Sequence, residues 1–326
     1  MFRSVFPILL SLACSLHLDA QEATETTDPA PQVHGGVKFE KVALTPSDAS
    51  GHYFIPVSVE GKDTRLLLDS GAGTIAVLST PFARSLGVPL KEIGHGGAVG
   101  GALKMHSVDL SAFKVGPFPR LKLGGLQVAD LSKASIVLDG VSIAPDGVLG
   151  AQFLEMSNAV FDARRNCLLI PPHGTPDDVY FKSLSSESVK LMPLLKGGMH
   201  MPFIDVEIQG KIRSFLIDTG AGSNSLVPDF ADELDLKILS EGGYIQGAGD
   251  QKALDVKQAL SDKVLLGGEL ELGETEFLIH SIGAKVVLPA DKKFGGIIGT
   301  KTLLALDASL DFGSYSLIVP ARLIQK

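Results

Sequence analysis

At 326 residues, 45% of them apolar, the chain is long enough to bury one large core or two medium ones. Its net charge of −8, with no basic block to interrupt it, repels phosphate backbones and argues against nucleic acid as a partner. Gly (36) and Pro (18) are plentiful and Trp is absent, and glycines spread among Val, Leu and Ile runs point to a turn-rich, mainly β protein.

In chain order, residues 1–20 read as an export signal. Arg3 supplies the positive start, Val5 to Leu12 is an apolar run broken by Pro7 and Ser11, and Ala20 is a small residue before Gln21. The run is too short to span a bilayer as a helix, and no later run is long enough, so the mature chain is expected to lack an integral membrane segment. Export implies a periplasmic or secreted protein. Lipid anchoring through Cys14 is the weaker reading, because Ser11 stands where an attachment box carries a bulky aliphatic. With the signal removed, Cys167 has no intramolecular partner, and its apolar neighbours Leu168, Leu169 and Ile170 mark it as a buried, inert thiol.

Residues 21–37, rich in Thr, Pro, Ala and acidic side chains, read as a flexible lead-in. Phe54 to Val59 then alternates like a strand, Gly61-Lys62 makes a turn, and Arg65 to Leu68 is an apolar strand that delivers Asp69. A short helix is expected over Pro81 to Leu86. A glycine-rich segment follows at Gly94 to Gly101, then the aliphatic-aliphatic-Gly element Val148-Leu149-Gly150 and a closing run ending at Pro171. Residues 172–188, with Pro, Gly, Asp-Asp and a Ser cluster, read as a linker between segments 38–171 and 189–326.

The second segment repeats the first. Phe203 to Val206 matches Phe54 to Val57, and Leu216-Ile217-Asp218-Thr219-Gly220-Ala221-Gly222 matches Leu67-Leu68-Asp69-Ser70-Gly71-Ala72-Gly73. A helix is expected over Pro228 to Leu234, and Gly296-Ile297-Ile298-Gly299 matches Gly147-Val148-Leu149-Gly150. The spacing is constant: 218 − 69, 296 − 147 and 320 − 171 all equal 149. That period is far longer than the 20–50 residues of a solenoid repeat, so it reads as two copies of one domain.

These residues carry a resemblance. Asp69-Ser70-Gly71 and Asp218-Thr219-Gly220, each followed by Ala and each with its own aliphatic-aliphatic-Gly companion, resemble the active-site motifs of the bacterial retropepsin-like and pepsin-like aspartic peptidases. The likeness extends from about Phe54 to Pro320 in two copies. It implies two similar retropepsin-like β-barrel lobes in a bilobal arrangement, with one short helix or two per lobe. It implies that Asp69 and Asp218 are the catalytic pair, that Ser70 and Thr219 bond across to the opposite loop, and that Gly71 and Gly220 let backbone approach the carboxyls. Two adjacent carboxyls share one proton, which suits activation of a water for attack on a peptide carbonyl without a metal or organic cofactor. The sequence assigns neither Asp a fixed role. A substrate flap is expected around Gly97 and Val99 and around Tyr244 and Gly247. The substrate would be a peptide or protein bound as an extended strand by a monomer. The competing reading is an inactive envelope protein that holds an extended peptide or polymer. The eight histidines are dispersed and read as surface or loop residues, with no metal site.

Overall fold

A computed structural model describes residues 33–34, 37–47, 50–98, 101–134, 136–138, 141–172, 189–245, 254–281, 286 and 288–324. The expected export signal, Cys14, nearly all of the expected lead-in and residues 173–188 of the expected linker lie outside them. No helix among the described residues is long and apolar enough to cross a membrane.

The chain folds as mainly β structure with four short α-helices among the described residues. In the first half, β1 (Tyr53–Val59) and β2 (Lys62–Asp69) form a hairpin. Glu60 and Gly61 both have positive φ (50° and 80°), as a two-residue turn that matches strand twist requires. Alternation places Ile55, Val57, Val59, Leu66 and Leu68 in the main core, while Phe54 and Leu67 pack with Ile136 in a smaller cluster.

β3 (Ala76–Ser79) leads into α1 (Thr80–Ser85). The Ser79 hydroxyl accepts from the Phe82 N–H at 3.2 Å, and Pro81 sits in the first turn, where no N–H is needed. β4 (Lys91–Ala98), β5 (Gly101–Val115), β6 (Leu121–Ala129) and β7 (Gly147–Gly150) follow, and α2 (Ala151–Met156) starts at once after β7. The sheet runs β1-β2-β7-β3-β6-β5-β4. β5 also pairs with β1, Val115 opposite Val57, so the sheet closes on itself.

The second half repeats the plan with β8 (Pro202–Ile208), β9 (Lys211–Asp218), β10 (Ser225–Leu226), α3 (Pro228–Ala231), β11 (Lys237–Ile245), β12 (Leu254–Ser261), β13 (Thr275–Ile279), β14 (Phe294–Gly299) and α4 (Thr300–Ala305). The sheet order β11-β12-β13-β10-β14-β9-β8 continues into the strand Val264–Leu266, which pairs with β8. The long β5 of the first half thus corresponds to two shorter strands here, broken at Asp262 and Lys263. The helix expected over Pro228 to Leu234 is regular only to Ala231 and then loosens into turns.

A third sheet joins the halves. Its six strands run Val189–Pro193, Ser316–Pro320, Ser309–Asp311, Val160–Asp162, Cys167–Ile170 and Glu40–Ala43. At the seam Val160, Phe161 and Asp162 pair antiparallel with Asp311, Leu310 and Ser309. One apolar core continues across that seam, including Phe161 and Leu168 from one side and Leu310 and Leu317 from the other. The closing strands of both halves are therefore held together by backbone hydrogen bonds and by shared burial.

Candidate active site

Each Asp is set at the end of a central strand. β2 runs parallel to β7, Leu68 beside Leu149 and Asp69 beside Gly150. β9 runs parallel to β14, Ile217 beside Ile298 and Asp218 beside Gly299. Apolar side chains anchor both strands: Leu68, Leu149, Ile217 and Ile298 are fully buried. The strands are rigid because they are interior, so the two loops they launch are fixed in position.

The loops are tied crosswise. The Ser70 N–H donates to Thr219 Oγ1 at 2.9 Å, and the Thr219 N–H donates to Ser70 Oγ at 3.0 Å. Each hydroxyl donates onward to a strand carbonyl of the opposite half, Ser70 to Ile217 at 2.7 Å and Thr219 to Leu68 at 3.0 Å. Both side chains are fully buried. Four hydrogen bonds with no access to water thus fix one carboxyl relative to the other.

The carboxyls meet at the centre of this frame. The Gly71 N–H donates to Asp69 Oδ1 at 2.9 Å and the Gly220 N–H to Asp218 Oδ1 at 2.8 Å. Each glycine also faces the opposite carboxyl. A Cβ on Gly71 would lie 2.6 Å from Asp218 Oδ2, and one on Gly220 would lie 2.5 Å from Asp69 Cγ. Any side chain there would push the pair apart.

Burial raises both carboxyls above the ordinary carboxylate range. For Asp69 the charge of Asp218 and a hydrogen bond between the two add to the rise, and the N–H groups of Gly71 and Ala72 only partly offset it. For Asp218 the donors at Gly220, Asp69, Gly71 and Ala221 all favour the charged form. The two carboxyls face each other and share one proton between them. Both residues keep some exposed surface, which a group that must reach a substrate needs.

A second set of contacts braces the loops from outside. Ser50 and Met199 are 149 positions apart, as are Gly73 and Gly222. A Cβ on Gly222 would lie 1.7 Å from the Ser50 carbonyl oxygen, and one on Gly73 would lie 2.3 Å from Met199 Cβ. The segment before the first strand of each half therefore packs on the Asp loop of the other half. The Thr300 hydroxyl of α4 bonds to the carbonyls of Gly51 and Ala221. In the first half Glu155 of α2 accepts from Lys196, from His200 Nδ1 and from the Tyr315 hydroxyl.

The other expected positions lie along hairpins. Gly97 in β4 is opposite Ala102 in β5, and Tyr244 in β11 is opposite Asp255 in β12. Val99 and Gly247 lie outside the described residues. Sequence reasoning missed His52. It is neither free at the surface nor idle in a loop: it is half-buried, with Nδ1 at 2.8 Å from Ser50 Oγ and Nε2 at 2.9 Å from the Gly220 carbonyl oxygen. Its partner is 168 positions away, and the equivalent position of the repeat is Met201 (201 − 52 = 149), so no local pattern marks it.

A family model described as aspartyl protease matches residues 55–153. Among solved structures, the chain is similar to an aspartic proteinase from Irpex lacteus at 12% identity, covering 87% of this chain and 98% of that one with a TM-score of 0.43. No curated relative matches the chain. The matched segment runs from β1 through Asp69 and β7 into α2, so the similarity to the aspartyl protease model takes in the first Asp loop and its companion glycine element.

Proposed function

We propose that the chain is an aspartic endopeptidase that cleaves peptide bonds with a water activated between Asp69 and Asp218. The observation that carries this reading is the carboxyl pair itself: two acids on separate loops, cross-tied by buried hydroxyls and each pushed up by burial, that hold one proton. The charged member of the pair takes a proton from water as the water oxygen bonds to the peptide carbonyl carbon. The protonated member gives its proton to the carbonyl oxygen, so no full negative charge builds up there. The tetrahedral species then collapses. The C–N bond breaks as the nitrogen takes the proton drawn from water, and one hydroxyl of the tetrahedral diol returns its proton to the other acid as the new carboxyl forms, so the pair again holds one proton.

The substrate is a peptide or protein segment laid across the cleft in extended form, held by main-chain hydrogen bonds along the hairpins β4–β5 and β11–β12. Because each half supplies one carboxyl, a monomer suffices. The export signal read at residues 1–20 supports a periplasmic or secreted setting for this reaction. The test is cleavage of a peptide library by the mature chain from acidic to neutral pH. Asp69→Asn and Asp218→Asn should each lower kcat by at least about a thousandfold while the fold persists. Persistent activity in either variant would refute the pair assignment. A folded wild type that cuts nothing would favour the inactive peptide- or polymer-binding reading.

A further inference from the structure

We infer that His52 is a positioning residue for the carboxyl pair, holding the Gly220 carbonyl so that the N–H of the same residue stays aimed at the Asp218 carboxyl. This rests on the aspartic peptidase reading of the same site.

The hydrogen accounting is determinate. The Gly220 carbonyl can only accept, so His52 Nε2 carries the hydrogen in the 2.9 Å contact. In the neutral ring Nδ1 then accepts, and its hydrogen comes from Ser50 Oγ at 2.8 Å. Ser50 Oγ is in turn 2.7 Å from Ser47 Oγ, which accepts the His52 backbone N–H at 2.9 Å. With the Ser50 hydrogen committed to the ring, Ser47 donates to Ser50. The bonds therefore run one way, from the strap Ser47–His52 into the second Asp loop. Burial, with a smaller contribution from the Lys301 cation of α4, lowers the His52 pKa and keeps the ring in this neutral form.

The receiving residue links the ring to the chemistry. Gly220 uses both of its backbone groups: its carbonyl accepts from His52 Nε2, and its N–H donates to Asp218 Oδ1 at 2.8 Å. Anchoring the carbonyl limits how far Gly220 can turn, and so fixes the aim of its N–H at the carboxyl. The other half has no such device by repetition, because Met201 occupies the equivalent position and its thioether has no hydrogen to donate. His52 thus breaks the near two-fold equivalence of the two acids.

The test compares His52→Met, which copies the other half, with His52→Gln, which keeps an N–H donor on a side chain of similar reach. Two readouts are needed: kcat and KM on a cleavable peptide, and the carbon-13 titration of the Asp69 and Asp218 carboxyls. The titratable and charged groups near the ring are Lys301 and the carboxyl pair itself, so both are followed. His52→Met should raise the first titration step of the pair, lower kcat about tenfold and leave KM within about twofold, since a shift of one pKa unit is a factor of ten. His52→Gln should recover most of the loss. If His52→Met fails to fold, His52→Gln is read against Ser50→Ala, which leaves the ring but removes its orienting hydroxyl and should move the titration the same way by less. An unchanged titration, or a His52→Gln variant as impaired as His52→Met, overturns the inference. A wild type that cuts no peptide while the titration still moves would remove the peptidase reading and leave the positioning role standing.

Discussion

Replacing Thr219 by Val removes the hydroxyl from the cross-tie and changes almost nothing else. The two side chains have nearly the same shape, so no cavity opens in this fully buried site. What changes is hydrogen bonding. The Ser70 N–H loses its acceptor and the Leu68 carbonyl loses its donor, and neither faces water. A buried polar group left without a partner costs about 1–3 kcal/mol, so two of them predict a loss of about 2–6 kcal/mol, with about 4 as the central figure. Thr219→Ser is the control. It keeps the hydroxyl, as Ser70 does in the other half, and removes one methyl, worth about 1 kcal/mol. Urea unfolding of the mature chain at neutral pH measures both, with fluorescence and circular dichroism required to give the same transition. The activity of Thr219→Val should fall as well, because the tie also sets the distance between the carboxyls. A Thr219→Val variant within about 1 kcal/mol of wild type, or a Thr219→Ser variant equally weakened, would refute the claim that these hydroxyls hold the loops together.

The other predictions follow from the same geometry. Asp69 binds its proton more tightly folded than unfolded, so its contribution to stability is complete below the unfolded value of 3.8 and is lost as pH rises through its raised folded value. Asp69→Asn should therefore melt higher than wild type at neutral pH, with the gain vanishing near pH 3 in calorimetry, and a gain that grows on acidification would contradict it. Gly220→Ala forces a Cβ to within 2.5 Å of Asp69 Cγ and should cut kcat about a hundredfold with a smaller change in overall stability, read by kinetics beside a melting curve. Burial pushes the Cys167 thiol up to about 11, so a thiol reagent at pH 8 should label it only after unfolding; rapid labelling of the native chain would show that the strand Cys167–Ile170 opens easily.

Much of this was visible in the order of residues, for reasons that are local. Strand alternation around Phe54 to Val59, the two-residue turns at Gly61 and Gly210, and the Pro and Ser at the start of α1 each act over a few neighbours, and a few neighbours are what a sequence displays. Asp69 and Asp218 could be singled out because a constant offset of 149 and a matching glycine element made each support the other. Local signals were weaker at the helices. α2 and α4 begin directly after Gly150 and Gly299 with no side-chain cap, and nothing in their six residues announces them.

What the sequence could not display is how the two copies differ. A repeat predicts equivalence, and by itself it left the two acids interchangeable. Only the folded chain brings the two carboxyls together and decides which groups hold each Asp loop. Those groups come from far along the chain: the Thr219 hydroxyl lies 149 positions from the Ser70 N–H it accepts from, and the His52 ring lies 168 positions from the Gly220 carbonyl it donates to. The same holds for the shared six-stranded sheet, whose seam joins Phe161 to Leu310. The duplicated sequence determined that two matching acids exist and which strands carry them. Burial and long-range hydrogen bonds, which are properties of the packed structure alone, decided how the two acids meet and what holds them in place.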